Sequence, residues 1–392
     1  MQWSESYLMD TYARYPLCLV RGEGVRVWDS DGKEYLDFTG GLVVLALGHC
    51  HPRVVGTIQE QAATLIQTSN FFHNPPAIQL AKLLAEHSFA DRIFLSNSGA
   101  EANEAALKLV RKYAKETFSS DRYDIIATRN SFHGRTLATV TATGQEKYQH
   151  GFEPLMPGFK HVPYNDLQAM ERSIDSRTAA VLVEPIQGEG GVVVPDDGYL
   201  PGLRKLCDES GALLILDEIQ TGMGRTGALW AYQHSGIEPD IMTVAKALAN
   251  GIPIGATLAT ERVAAAFTRG SHGTTFGGNP FAAAVAIATL TTLLEDRLSE
   301  RAARMGRLLL GKLEALKPSH PVVREVRGKG LLIGIELTRP VAPVVTACRE
   351  QGLLVLTAGE NVVRLAPPLI VEDAHVERAV AILTSALGRL AP

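Results

Sequence analysis

Lys246 and Asp217 are the residues whose types and placement point most directly to chemistry. Asp217 ends the apolar run Leu213-Leu214-Ile215-Leu216, and Lys246 follows Ile241-Met242-Thr243-Val244-Ala245. Both runs are short, rich in branched side chains and bounded by polar or turn residues, which is the pattern of buried parallel strands. In open α/β sheets, ligands sit beyond the carboxyl ends of the strands. An amine and a carboxylate brought there by separate strands meet the needs of pyridoxal phosphate, which takes a lysine for its Schiff base and an acid to keep its ring nitrogen protonated. Taken singly, either residue could mark only the point where a strand meets water. The pattern recurs, however. Ala180-Val181-Leu182-Val183 leads into Glu184, and Ile93-Phe94-Leu95 leads into Ser96-Asn97-Ser98-Gly99. Each of these apolar runs delivers polar groups at its carboxyl end.

Ser98-Gly99-Ala100-Glu101 opens a helix with apolar positions Ala102, Ala105, Ala106, Leu109 and Val110 on one face. Ser98 with Glu101 fits a capping box. A helix N-terminus with a Gly beside it also offers free N–H groups and the positive dipole end to a phosphate. The two readings are compatible. Gly222-Met223-Gly224-Arg225-Thr226-Gly227 matches the spacing of a dinucleotide-binding loop. That loop should follow its strand directly, open a sustained helix and meet an acid about 20 residues later. Here the strand ends five residues earlier, no helical pattern follows, and Asp240 comes too soon. No Walker-type phosphate loop occurs either.

These residues need an α/β frame, and the chain supplies one. Its 392 residues suggest two or three domains. Hydrophobic residues make up 46% and charged residues 20%, ordinary for a globular protein with a large core. The formal net charge is −4 with no basic stripe, which argues against nucleic acid as a partner. Cys18, Cys50, Cys207 and Cys348 are scattered without metal or disulfide spacing, so they read as reduced thiols of a cytoplasmic protein, and no metal is expected. Met1-Gln2-Trp3-Ser4-Glu5 lacks a basic segment followed by an apolar one, so no leader is expected. No uncharged apolar stretch reaches membrane-spanning length.

Val25–Trp28 and Glu34–Phe38 read as a hairpin around a Gly-containing loop. From about Pro52 to Pro280, helical periodicity alternates with short apolar runs, as in a layered α/β fold. A long Ala/Leu-rich helix is expected from Pro280 to Leu316, short strands at 331–337, 353–356 and 362–365, and a last helix over 372–390. The expected division is a large central domain over residues 52–285, with residues 1–51 and 286–392 joining into a smaller α+β domain.

The motifs resemble the class III aminotransferases of ornithine/acetylornithine type, within the fold-type I pyridoxal phosphate enzymes. The resemblance runs from Tyr12 to the last helix. It rests on LGHCHP (47–52), NSGAEANEAALKLVR (97–111), SFHGRT (131–136), EPIQGEGG (184–191), DEIQTGMGRTG (217–227), HGTTFGGNP (272–280) and RLAPPL (364–369). It implies a mostly parallel central sheet and pyridoxal 5'-phosphate as cofactor. It implies that Lys246 holds the cofactor and then acts as base, and that Asp217 pairs with the pyridinium nitrogen. Gln220 would reach the ring's phenolic oxygen, Phe132 would stack on its face, and Ser98, Gly99 and Ala100 would hold the phosphate. Thr275 would reach the phosphate of the neighbouring subunit in a homodimer with shared active sites. Tyr12, Arg135 and Arg364 would bind substrate, Arg suiting carboxylates through its planar fork. Glu189 would cover Arg364 when no carboxylate is there. Glu184 would stand at the ring edge or orient Arg135. Each residue also has a plainer reading: an aromatic in a core, a turn Thr, a surface Arg.

The resemblance further implies transfer of the terminal amino group of N2-acetyl-L-ornithine to 2-oxoglutarate, a step of arginine biosynthesis. Enzymes acting on free ornithine typically carry Tyr two residues after the position of Gly40, where this chain has Leu42. A buried Leu offers the α-ammonium no partner, and an unpaired polar group costs about 1–3 kcal/mol. An N-acylated donor is therefore expected. Succinylornithine, N-succinyl-diaminopimelate, a carrier-bound lysine precursor, ornithine and 4-aminobutyrate remain alternatives. A non-catalytic binding protein of the same fold should have lost Lys246, Asp217, Gln220 or Arg135.

Overall fold

The computed structural model describes residues 6–118 and 121–390, so Met1–Glu5, on which the leader expectation falls, lie outside the described residues. The hairpin forms as expected. Strands β1 (Leu19–Glu23), β2 (Arg26–Asp29) and β3 (Glu34–Asp37) pair antiparallel in that order. Asp29 holds the turn between β2 and β3, its carboxylate accepting from the N–H groups of Asp31 and Lys33 and from the Tyr35 hydroxyl.

The central sheet has seven strands: β4 (Arg92–Ser96), β5 (Asp124–Thr128), β6 (Phe159–Val162), β7 (Thr178–Val183), β8 (Leu213–Asp217), β9 (Ile241–Val244) and β10 (Gly255–Ala259). Their order is β4-β10-β9-β8-β7-β5-β6. β10 runs antiparallel to both its neighbours, and every other pairing is parallel. β4 therefore points the same way as β7, β8 and β9, and all four carboxyl ends lie on one edge. β5, β7, β8 and β9 are buried throughout. Helices cover both faces, which is why these strands are continuously apolar. The helix Gly99–Phe118 lays Ala102, Ala105, Ala106, Leu109 and Val110 onto the sheet as its periodicity demands.

The long helix expected to reach Leu316 is two helices, Pro280–Glu295 and Leu298–Glu314. Arg297 between them has φ +52°, which a right-handed helix cannot include. Neither Gly nor Pro marks the break, so the sequence carried no ordinary signal for it. Pro280–Glu295 is apolar nearly all round because it packs against the helices Pro52–Thr64 and Pro75–Glu86 and the turn that begins at Lys246.

β11 (Val323–Lys329), β12 (Leu332–Leu337), β14 (Leu356–Thr357) and β15 (Val362–Leu365) make an antiparallel sheet in the order β11-β12-β15-β14. β11 was not anticipated from the sequence. β13 (Leu353–Leu354) instead pairs parallel with β3, joining the two ends of the chain. Gly222–Gly227 forms successive turns, not a nucleotide loop. Arg225 within it is fully buried and donates to the carbonyls of Leu331 and Pro367. Among the described residues, no helix is long and apolar enough to cross a membrane.

Candidate active site

The shared strand edge opens into a cavity of about 360 Å³. Ser98, Gly99, Ala100, Phe132, Arg135, Glu184, Asp217, Gln220 and Lys246 line it. Nine residues singled out from the sequence thus meet at one place, although they come from four strand ends and the loop between β5 and β6.

Asp217 is fixed before any ligand arrives. Its Oδ2 accepts from Asn103 Nδ2 and faces His133 Nδ1, each at 2.8 Å, and its Oδ1 accepts from the Ile219 N–H at 3.1 Å. Asn103 also donates to the His133 carbonyl and accepts from Thr243 Oγ1. The contact with a carboxylate puts a proton on His133 Nδ1. Asn103 and His133 were missed in the sequence. The available signal was a polar Asn on the apolar face of the helix Gly99–Phe118, since a buried amide needs partners. His133 stands beside Phe132 in the SFHGRT segment, with no pattern of its own to single it out.

Lys246 begins a short turn, Lys246–Ala249, immediately after β9. Its φ is +44°, costly for a residue with a Cβ and typical of backbone held by its surroundings at functional sites. Burial pulls its amine down to about 8; the Arg364 charge adds to the fall, while Glu189, Asp217 and Glu184 oppose it. An amine in this range is partly neutral near physiological pH and can act as nucleophile and base.

Glu184 is 3% exposed, and its Oε2 has no partner. Burial first, then the charges of Asp217 and Glu189, push its carboxyl well above the usual range. Glu184 forms no ion pair with Arg135 among the described residues. Arg135 lies outward, its guanidinium 3.9 Å from the centroid of the Tyr148 ring and 5.5 Å from that of Phe132. Of the two positions expected for Glu184, the Arg135-orienting one is therefore not seen.

Beside the cavity, Arg364 Nη1 lies 2.6 Å from Glu189 Oε1 and 3.3 Å from Gln220 Oε1. Gln220 Nε2 donates to the same Glu189 oxygen at 3.3 Å. The Arg364 side chain is 1% exposed. Burial would raise the Glu189 carboxyl, but Arg364 and Lys246 outweigh it and hold the group below its ordinary value.

Other expected residues lie elsewhere. Tyr12 is exposed in a separate, larger cleft of about 1080 Å³ with Arg14, Thr39 and Arg349. That cleft holds no lysine–carboxylate set, so the smaller cavity is the chemical one. Thr275 is exposed, its carbonyl accepting from Gln67 Nε2. Leu42, expected to be buried, is 50% exposed with φ +68°. The segment Gly40–Val43 turns left-handed and carries Leu42 outward instead of into the core.

The cavity suits pyridoxal phosphate. Ser98 Oγ accepts from the Glu101 N–H, and the Glu101 carboxylate reaches back to the Asn97 N–H, one residue off the expected capping box. Gly99 and Ala100 sit in the first helical turn, where N–H groups lack intrahelical acceptors. A Cβ on Gly99 would come within 2.7 Å of Ile219 Cδ1, so any larger residue there requires the Ile219 side chain to move. An oriented carboxylate, a lowered lysine and a partnerless buried acid complete the donor set.

Comparison with known proteins agrees. The sequence matches the family profile described as Aminotransferase class-III over residues 7–387. It is 49% identical to the acetylornithine aminotransferase of Caldanaerobacter subterraneus subsp. tengcongensis, over 99% of each chain. It is 46% identical to the succinylornithine transaminase/acetylornithine aminotransferase of Pseudomonas aeruginosa, over 98% of this chain and 96% of that one. Its fold superposes on the crystal structure of the ornithine aminotransferase from Toxoplasma gondii ME49 with a TM-score of 0.96 at 38% identity, covering 98% of this chain and 93% of that one.

Proposed function

Because this chain belongs to the class III aminotransferases, fold-type I enzymes that work with pyridoxal phosphate on an amino donor and a keto acid, we propose a specific donor and acceptor for it. It transfers the terminal amino group of N2-acetyl-L-ornithine to 2-oxoglutarate. The products are N-acetyl-L-glutamate 5-semialdehyde and L-glutamate, in cytoplasmic arginine biosynthesis. When bound, pyridoxal phosphate supplies the electron sink for the carbanion.

The chain's own groups do the rest. Ser98, Gly99 and Ala100 would hold the phosphate at the helix N-terminus. Asp217, oriented by Asn103 and His133, would keep the ring nitrogen protonated. Gln220 and Glu184 would meet the ring edge, and Phe132 would cover a face. Lys246 Nζ takes the proton from the carbon that bears the reacting amine. Arg135 binds the carboxylate at the far end of the substrate.

The single observation that carries this reading is the ion pair between Glu189 and buried Arg364, bridged by Gln220. Acetylornithine has no carboxylate on its reacting carbon, whereas glutamate has one. A site serving both must cover Arg364 in one half-reaction and free it in the other, since a buried unpaired charge costs several kcal/mol. An ion pair that opens meets that need. The bifunctional name of the Pseudomonas aeruginosa relative extends the same reading to N2-succinylornithine.

We also propose a homodimer in which Thr275 reaches the partner's cofactor. Residues 52–285 form its large domain, and residues 1–51 and 286–392 form the small one. Single-turnover rates with a panel of ω-amino donors test the substrate. The proposal requires acetylornithine or succinylornithine to exceed ornithine, 4-aminobutyrate and N-succinyl-diaminopimelate. A faster reaction with any of those three refutes it.

A further inference from the structure

The loop after β3 has a backbone that its sequence does not favour. Gly40, Gly41, Leu42 and Val43 all have positive φ, at 53°, 60°, 68° and 67°. Four such residues make one left-handed helical turn, and two of them carry branched side chains, one a β-branched Val. Such a conformation persists only where its surroundings hold it.

The turn is held at both ends. At its start, Asp37 is 3% exposed, and its Oδ1 accepts from the Thr39 N–H, the Thr39 hydroxyl and the Gly40 N–H. Asp37 Oδ2 lies 2.8 Å from His49 Nε2, beyond the far end of the loop. There, Asn250 Oδ1 accepts from the Leu47 N–H at 2.8 Å, and Asn250 Nδ2 donates to the Gly48 carbonyl at 3.0 Å. Asn250 caps the short turn that begins with Lys246. One side chain thus ties the loop to the lysine turn.

Between these clamps the loop lies against the reaction cavity. Val44 and Gly251 both line it. A Cβ on Gly251 would stand 3.5 Å from Leu45 Cδ2. A Cβ on Gly40 would come within 2.6 Å of the Ala366 carbonyl, two residues past Arg364. The turn is therefore wedged between the lysine turn and the Arg364 strand.

We propose that Asp37 and Asn250 are positioning residues for donor selection, clamping the loop Thr39–Gly48 so that its left-handed turn forms a fixed wall of the Lys246 cavity. This inference rests on the proposed preference for an N-acylated donor. Neither residue reaches the reacting atoms. Each acts through the backbone it holds, and the wall it fixes presents apolar Val44 to the cavity, which offers a free ammonium no partner and suits an uncharged acylamide.

The test uses cofactor-loaded enzyme and two donors, acetylornithine and ornithine. Asn250→Gly removes both clamping hydrogen bonds while tolerating the φ of +46° at that position. Asp37→Ala removes the other clamp, and Asp37→Asn keeps an acceptor for Thr39 and Gly40. A misplacement of about 1 Å can cost about a hundredfold in rate, so the acetylornithine-over-ornithine ratio of kcat/KM should fall by about tenfold or more in Asn250→Gly and Asp37→Ala. The loss should come chiefly through KM for acetylornithine, with the glutamate half-reaction kept within about twofold, because uniform binding and not chemistry is disturbed. Asp37→Asn should recover most of the ratio.

An unchanged ratio in Asn250→Gly overturns the inference. Equal losses in both half-reactions also overturn it, since they mark a merely structural role. Should Asp37→Ala fail to fold, Asn250→Gly and Asp37→Asn decide the matter. A wild-type chain with no preference for acetylornithine overturns the donor reading itself, and is measured first.

Discussion

Replacing Arg364 by Ala separates the two half-reactions. Arg364 is 1% exposed and pairs with Glu189 at 2.6 Å. In the glutamate half-reaction it is the cation for the carboxylate on the reacting carbon. Truncating one partner of a buried charge pair costs about 2–5 kcal/mol. At about 1.4 kcal/mol per tenfold, the glutamate single-turnover rate should fall between about 30-fold and about 4000-fold. Acetylornithine presents no carboxylate there, so its direct loss should be small. A second effect touches both directions. Arg364 helps to lower the Lys246 amine, and Glu189 opposes it. The variant loses the first and leaves the second unpaired, so the Lys246 pKa should rise above about 8. Each unit of rise removes about tenfold of the neutral amine at lower pH. Rates should therefore be compared on the alkaline plateau of each pH profile. Adding Glu189→Gln should move the profile back toward lower pH without restoring the glutamate half-reaction. Equal plateau losses in both half-reactions would refute the reasoning, because Arg364 would then not discriminate between the substrates.

Capture of pyridoxal phosphate by the apoprotein should accelerate as pH rises toward about 8 and level off above it, because only neutral Lys246 condenses with an aldehyde; a flat profile in stopped-flow absorbance would contradict the lowered amine. Lys246→Ala should still bind the cofactor through its phosphate and Asp217 yet lose turnover, and borohydride reduction followed by peptide mapping should place the label of the unaltered chain on Lys246. Asn103→Ala and His133→Ala each remove a hydrogen bond to the buried Asp217 carboxylate, worth about 1.5–3 kcal/mol; equilibrium dialysis should show cofactor affinity weakened by about tenfold or more. Dilution to monomer should release cofactor if Thr275 completes the neighbour's site, and a monomer that keeps full activity would exclude that arrangement.

Lys246, Asp217, Glu184 and Ser98 were legible in the sequence because the signal is local. An apolar run that stops at a polar residue states where a buried strand ends, and parallel strands expose their carboxyl ends on one edge. The helix face Ala102 to Val110 was legible for the same reason, through its period. The resemblance also named Glu189, Gln220 and Arg364 and had Glu189 cover Arg364, but it did not tell that Gln220 bridges the pair. Arg364 and Glu189 lie 175 residues apart and touch only because the sheet of β11, β12, β15 and β14 packs against the loop that follows β7, through Val192, Leu332 and Val362. Asn103 and His133 carry no local mark of their partnership with Asp217; it exists only once helix, loop and strand converge. The break at Arg297 and the outward Leu42 arose in the same way, from backbone conformations that neither Gly nor Pro announced at those two residues. Tyr12 and Thr275, named by motif, lie outside the single-chain cavity. Local pattern specifies which face of an element is buried, whereas the packing of distant elements decides which polar groups share a site.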